Sequence, residues 1–517
     1  MNALTASPRT RLALALIPSG LGLGLLADLL LRATPWGLNV TICAVALIAA
    51  GAWTVRRFHV PVAADAPWLA LSAVCCAIAY VRRDSSALHL LDVGAFAGAI
   101  ALTALATQGA SVRLRGVSAY LLGTCVACAY AWLGAPRLVL GDIPWSDVRL
   151  GGPWRQLGAV GIGLLVSVPL LVVFGGLFVS ADATFASMVS SIHLDLGSLT
   201  SHLFLTGVFA TFATGTLRGA FLGNAGPAAA GERLTQPGVR LPTTATVLGA
   251  LDLLFLLFVA LQARWLFGGT ALIQATAGLT VSDYARRGFF ELVTAAALVL
   301  PVLLTAEWAT HREGRSQERA FRGLALLLIV LVGVLLASAL QRMLLYVQLF
   351  GLTELRLYTT AFMVWLGGVF TWLAWTVLRG ARARFAFGAL VQATVVLAGL
   401  HVANPDAFIT RVNASRTATV APFDAAYAAG ELSGDAVPAL LDALPRLRAA
   451  ERGEVAHRLL ARWGSPSPGD WRSWNWSAAR ARALVQSRAA ELEAIRIRDC
   501  APPASCGSAV SPGGPVD

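Results

Sequence analysis

Residues 245–263 read Ala245-Thr246-Val247-Leu248-Gly249-Ala250-Leu251-Asp252-Leu253-Leu254-Phe255-Leu256-Leu257-Phe258-Val259-Ala260-Leu261-Gln262-Ala263. Asp252 is the single charged residue in the stretch. A helix that crosses a bilayer needs about 20 predominantly apolar residues. Nothing here alternates with the period of two that a half-buried strand requires. The stretch reads as a transmembrane helix.

Working outward, similar apolar runs recur along the chain. Twelve candidates lie at about 12–31, 37–55, 67–81, 88–108, 117–135, 157–179, 200–217, 243–263, 289–308, 323–341, 357–378 and 385–402. The third is short. The run from Leu12 to Leu31 is long for the core of a cleavable signal and reads as the first span. Across the 517 residues, 57% are hydrophobic, 13% are charged and the mean hydropathy is +0.68. Soluble domains carry about 25% charged residues. The fold class expected is therefore all-α: a polytopic transmembrane helical bundle of about twelve spans, eleven being possible, with a small C-terminal helical module.

The formal charge is +12, and every one of the forty basic residues is arginine. The arginines are scattered between apolar runs, not clustered with aromatics on a soluble face, so a nucleic-acid partner is not expected. Alanine, glycine and arginine richness fits a GC-rich bacterial genome. Loop arginines bias topology. With twelve crossings the rule leans weakly toward both termini outside. If segment 117–135 does not fully cross, an inside N-terminus and an outside tail place 19 of the 27 arginines before residue 404 on the inside.

Four polar clusters interrupt the apolar body. Arg342, Tyr346, Gly351, Glu354 and Arg356 fall between two long runs. Arg342 and Tyr346 share a helix face, Gly351 permits a tight turn, and Glu354 sits where a helix N-terminus favours an acid. Glu354 and Arg356 point different ways, so each can reach a different helix. Asp252 is a candidate because charge at the bilayer centre costs about 2.5–3.5 kcal/mol. Asp182 lies in an arginine-free connection, 180–199, expected at the outer interface. Arg287 and Glu291 are spaced i, i+4 at the mouth of a span. Asn404, Asp406, Arg411 and Asn413 follow the last span, where Asn-Pro-Asp forms a natural turn. The expectation is that Arg342–Arg356, with Asp252 and Asp182, form one buried network. Each cluster also has a plainer reading, as a structural ion pair or a solvated helix entrance.

Cys43, Cys75, Cys76, Cys125 and Cys128 lie within apolar runs, where cysteine acts as a small hydrophobe. The spacing Cys125-x-x-Cys128 sits mid-span, so packing is favoured over redox or metal chemistry. No phosphate-binding loop, dinucleotide fingerprint or zinc motif is present in the sequence. No cofactor or metal is expected.

From Asn404 the composition changes, with thirteen arginines against twelve acids and no run of spanning length. Ser433 is a plausible N-cap ahead of Val437, Leu440, Leu441 and Leu444. Val455, Leu459, Leu460 and Trp463 mark a second amphipathic helix, and a third runs from about Ser477 to Arg498. The domains expected are 1–156, variable N-terminal spans; 157–403, core transmembrane domain; 404–499, helical module; and 500–517, a disordered tail.

The strings Phe178-Val179-Ser180-Ala181-Asp182, Tyr284-Ala285-Arg286-Arg287-Gly288-Phe289-Phe290-Glu291-Leu292, Gly351-Leu352-Thr353-Glu354-Leu355-Arg356, Asn404-Pro405-Asp406…Arg411…Asn413 and Leu432-Ser433-Gly434-Asp435 carry a resemblance. Over roughly 160–480 the chain resembles a family of bacterial polytopic membrane proteins catalogued as a domain of unknown function. The departure is Val412, where the family pattern has an aromatic. The resemblance implies location and architecture, with no activity, substrate or cofactor to carry over. The role expected is a transporter-like, sensory or envelope-assembly component of a bacterial plasma membrane. Its partners would be the lipid bilayer and a membrane or envelope protein met through the C-terminal module. The alternative is a membrane enzyme acting on a lipid-linked or envelope substrate with Asp182 or Glu354 as acid or base.

Overall fold

The structure, a computed structural model, describes residues 7–108, 113, 116–145, 196–223, 238–267, 289–416, 422–466 and 469–499, with isolated positions at 167, 174, 177, 178 and 180–182. It is a helical bundle with a helical module at one end. The membrane part contains α1 (Pro8–Leu31), α2 (Leu38–Phe58), α3 (Ala66–Arg82), α4 (Ser86–Thr107), α5 (Val117–Arg137), α6 (Leu196–Leu222), α7 (Leu241–Phe267), α8 (Phe289–Ala309), α9 (Gly314–Phe350), α10 (Glu354–Arg379) and α11 (Phe385–Ala403). The module contains α12 (Pro405–Arg416), α13 (Val437–Ala443), α14 (Ala449–Trp463), α15 (Trp476–Ser487) and α16 (Ala489–Asp499).

Among the described residues, nine helices are long and apolar enough to cross a membrane, and this is a membrane protein. In hydrocarbon every main-chain polar group needs an internal partner, which a helix supplies from within itself. The helices leave large apolar side chains uncovered: Leu90, Leu254, Leu261 and Val395 are all more than half exposed. That pattern is stable only where the surrounding solvent is itself apolar.

Three sequence expectations change in detail. The candidate at 67–81 becomes α3, only 17 residues long. The candidate at 200–217 becomes the 27-residue α6, which is not among the nine because threonines, His202 and Arg218 dilute it. The candidate at 157–179 lies almost wholly outside the described residues. At the other extreme, the 37 residues of α9 extend about 55 Å at 1.5 Å per residue. This exceeds a hydrocarbon core of about 30 Å, and the charged first turns of α9 form the overhang, where Arg322 pairs with Glu318 at 2.9 Å.

Small residues let α6 pack closely against its neighbours. A Cβ on Gly215 would lie 2.4 Å from the Ala131 carbonyl oxygen of α5, and one on Gly134 would lie 2.7 Å from Gly215 Cα. Lipid gives helices no hydrophobic reason to associate, so such backbone approach supplies the packing.

The two ends of the bundle are distinct. At the module end, Arg472 donates to the Leu29 carbonyl of α1, the Leu38 N–H of α2 donates to Trp474 O (2.9 Å), and Asn475 donates to Arg83 O between α3 and α4 (2.6 Å). The start of α6 lies there too, with Ser201 and His202 meeting Arg32 and Asp28 of α1. At the far end, β1 (Val239–Arg240), before α7, pairs parallel with β2 (Thr310–His311), after α8. Thr107, ending α4, donates to Ala220 O of α6 at 2.8 Å, while Arg218 of α6 grips Asp142 at 2.8 Å. Arg9 of α1 lies 3.7 Å from the same carboxylate. The N-terminal residues and the module therefore occupy opposite ends. Helix α5 both begins and ends near the far end: Tyr120 packs beside Leu105 and Ala106, and its continuation reaches Asp142.

The module has its own core, built from Val437, Leu440, Leu459, Trp463, Val485 and Leu492. Ser433 Oγ accepts from Asp435 N (3.3 Å) and caps the single turn that leads into α13. The third helix expected over Ser477–Arg498 is two helices, broken at Arg488. No proline or glycine marks that break. Tertiary packing imposes it, folding α16 back onto α14, where Arg452 holds Asp499 at 2.6 Å.

Candidate functional site

The polar residues of the bundle converge where the module docks. The α3–α4 turn supplies Arg83, Asp84 and Ser85. The α9–α10 turn supplies Leu352 and Glu354, α11 ends in His401, and α12 carries Asp406 and Asn413. From the rest of the module come Tyr427, Ser433, Gly434, Asp435 and Asn475.

The centre is a buried ion pair. Arg83 Nη1 donates to Asp435 Oδ1 at 2.9 Å, with side chains 9% and 3% exposed. Arg83 also donates to the His401 carbonyl. Asp435 Oδ2 accepts from the Asp84 N–H (2.8 Å), and Asp84 Oδ2 accepts from the Gly434 N–H (3.0 Å). The two strands of chain thus exchange main-chain-to-carboxylate bonds across the interface. Asn475 works on both sides, accepting from Ser477 N and Ala478 N to start α15 while its amide donates to Arg83 O.

Beside this pair stands an acid pair with no ion-pair partner among the described residues. Glu354 and Asp406 face each other closely enough to interact, although Asp406 Oδ1 closes no hydrogen bond. Ser85 reaches Glu354 Oε1 (3.5 Å) and the Tyr358 hydroxyl (3.3 Å), and the Glu354 N–H donates to the Tyr427 hydroxyl (2.9 Å). The Ser433 N–H (3.1 Å) and hydroxyl both donate to Asp406 Oδ2. Burial pushes the Asp406 carboxyl above the usual range; the Ser433 bonds pull it down, and nearby Asp435 pushes it up again. Burial also raises Asp84, opposed by the Gly434 N–H. These acids therefore hold protons more tightly in the docked state than in water.

The neighbouring turn is locked separately. Gly351 ends α9 at φ 81°, ψ 175°, a region that is essentially glycine-only. A Cβ there would lie 2.9 Å from Asn413 Oδ1. Asn413 clamps Leu352, accepting its N–H (2.7 Å) and donating to its carbonyl (2.8 Å).

Of the residues singled out in sequence, Glu354, Asp406 and Asn413 meet at this junction. Arg356 does part from Glu354: it turns back onto the Phe350 and Gly351 carbonyls and lies over the Tyr346 ring at 4.3 Å. Tyr346 is thereby engaged with Arg356, and Arg342 is buried two turns before Phe350. Asn404 adopts a left-handed conformation (φ 55°) that ends α11. Arg411 and Glu291 are exposed, and Arg287 lies outside the described residues.

Asp252 stands apart from the junction. Asp182 is exposed. Asp252 is buried in α7, and among the described residues neither carboxylate oxygen finds a hydrogen-bond partner. Helix α7 starts at the far end, so Asp252 is about 17 Å along its axis, well below the junction. Sequence reading passed over Arg83, Asp84, Ser85, His401 and Asn475. The available signal was the polar run Arg82-Arg83-Asp84-Ser85-Ser86 between the short third apolar run and the fourth.

No curated protein and no solved structure matches the chain. One family does, over residues 70–443, a range that begins earlier and ends sooner than the resemblance suggested. It takes in both Arg83 and Asp435, and with them most of the junction. The chain belongs to the family described as Domain of unknown function (DUF4153).

Proposed function

We propose that the protein is a multi-pass component of a bacterial plasma membrane whose C-terminal module faces outward and acts in sensing or envelope assembly, with the bundle as its platform. The observation that carries this reading is the junction. Two inter-helix turns of the membrane part, α3–α4 and α9–α10, hold the module through buried carboxylates, main-chain N–H groups and one buried ion pair. Such an interface fixes one orientation of the module relative to the bilayer.

The outward assignment rests on arginine placement. With the N-terminal residues and the module at opposite ends, 15 of the 21 described arginines before residue 404 fall on the N-terminal side. Positive loops stay inside. The module's membrane face carries Trp471, Trp474 and Trp476, all exposed, level with exposed Trp36. Aromatic rings of this kind favour the headgroup region.

An enzyme would aim two carboxylates into one open cavity. Here Glu354 and Asp406 face each other inside a packed junction, and Asp435, Asp142, Asp28 and Asp65 each meet an arginine. A transporter-like role would gather polar groups at mid-membrane depth, whereas Glu354, Asp406 and Asp435 lie at the module end and Asp142 at the far end.

The test is complementation of a deletion strain scored for envelope stress and metabolite uptake. The full chain should restore the wild-type profile, and a chain ending at residue 403 should not, although it reaches the membrane. Full restoration by the shortened chain would overturn the reading.

A further inference from the structure

A groove runs along the membrane part between α2 and α4, which face each other across it. Its larger section is a cleft of about 570 Å³ bordered by Val40, Cys43 and Leu47 of α2 and by Asp92, Phe96 and Ile100 of α4. A second section of about 300 Å³ continues it past Gly51 and Thr103 to Arg56, the two sharing Leu47, Ile100, Ala104 and Thr216. From Val40 to Arg56 the α2 wall is about 24 Å long at 1.5 Å per residue. That is most of the thickness of a hydrocarbon core. The volume lies within the range of sites that hold small organic ligands.

The walls are apolar except near the ends. At the module end Asp92 is 2% exposed yet lines the cleft. Its Oδ1 pairs with His401 Nε2 at 2.8 Å, while Oδ2 has no hydrogen-bond partner among the described residues. A buried acceptor left unsatisfied is costly, and a buried carboxylate oxygen is best met by a charged donor. The Tyr80 side chain borders the same end of the cleft. The site therefore offers a long apolar slot with an unpartnered carboxylate oxygen at its module end.

The geometry points to a bound aminophospholipid, one acyl chain laid between α2 and α4 and its primary ammonium donating an N–H to Asp92 Oδ2. The apolar slot selects a chain, and the unpartnered oxygen selects a head that can donate. A quaternary ammonium carries the same charge without an N–H and cannot satisfy Oδ2. His401 holds the other oxygen, so Asp92 is presented to the groove in a fixed orientation.

The experiment reloads delipidated, detergent-purified full-length protein with an equimolar mixture of phosphatidylethanolamine and phosphatidylcholine. Lipid retained after washing is counted per chain by mass spectrometry. Wild type should retain close to one phosphatidylethanolamine per chain, at least tenfold over phosphatidylcholine. Asp92→Ala should hold the two equally, and Ala97→Trp, which places an indole in the groove from an exposed position, should hold neither. Equal retention of both lipids by wild type, or no retention, overturns the proposal. So does retention by Ala97→Trp at the wild-type level. The wild-type comparison decides the matter even if a variant fails to fold.

Discussion

Arg83→Ala tests the junction most sharply. The substitution leaves Asp435, 3% exposed, without its cation and removes the donor to the His401 carbonyl. Removing one partner of a buried pair costs about 3–5 kcal/mol, because the remaining charge stays desolvated. At about 1.4 kcal/mol per factor of ten, docking should weaken by two to three and a half orders of magnitude. Hydrogen exchange in nanodiscs reads this directly. The Asp84 and Gly434 N–H groups bond across the interface, so their exchange should accelerate by at least a hundredfold. Amides inside α14, whose bonds are internal to the module, should keep their protection. Arg496→Ala is the matched control. Its partner Glu493 is 44% exposed, and solvent screens such a pair, so exchange at Asp84 and Gly434 should stay unchanged. Acceleration below tenfold at Asp84 and Gly434 would refute the claim that the ion pair holds the module.

Three further outcomes are expected. Asp406 and Asp84 both titrate above their ordinary range when docked, so the docked state binds more protons than the undocked one. Docking should tighten as pH falls from neutrality toward the unfolded carboxylate range, and loosen as pH rises through the docked values. Asp406→Asn should flatten that profile, read by exchange at Gly434; an unchanged profile would assign the effect elsewhere. Within the module the sign reverses: Asp499 and Glu451 are held low, Asp499 by Arg498 and Arg452 and Glu451 by Arg448 despite burial, so module stability is lost only under stronger acid. Gly351→Ala should destabilise by about 1–3 kcal/mol through backbone strain, with the Cβ crowding Asn413 Oδ1 as well, seen as a lowered midpoint in thermal unfolding. Gly215→Ala should cost a similar 1–3 kcal/mol by forcing α5 and α6 apart, with the module's own exchange protection unchanged.

The membrane fold was legible because hydropathy acts locally. Residues 245–263 declare a spanning helix without reference to anything else, and Val437, Leu440 and Leu459 declare amphipathic helices in the same way. Glu354 and Asn413 were legible as candidates because charge and turn residues stand out against an apolar background. What was not legible is pairing. Arg83 and Asp435 are 352 positions apart, and nothing local in either segment names the other. Asp252 stood out for the same reason as Glu354 and yet stays apart, since depth in the membrane follows from helix direction. The break at Arg488 has no local cause either, because it answers to the packing of α16 on α14.

The central claim is that the module stands across the membrane from the N-terminal residues, on the outer side. In a chain with its native cysteines replaced, Ser487→Cys and Ser7→Cys place single thiols at exposed positions of the module and the N-terminus. Intact cells are treated with a membrane-impermeant maleimide and then lysed for a second labelling. The account predicts that Cys at 487 reacts in intact cells and Cys at 7 only after lysis. Labelling of both positions from the same side, or of position 7 alone in intact cells, would contradict it.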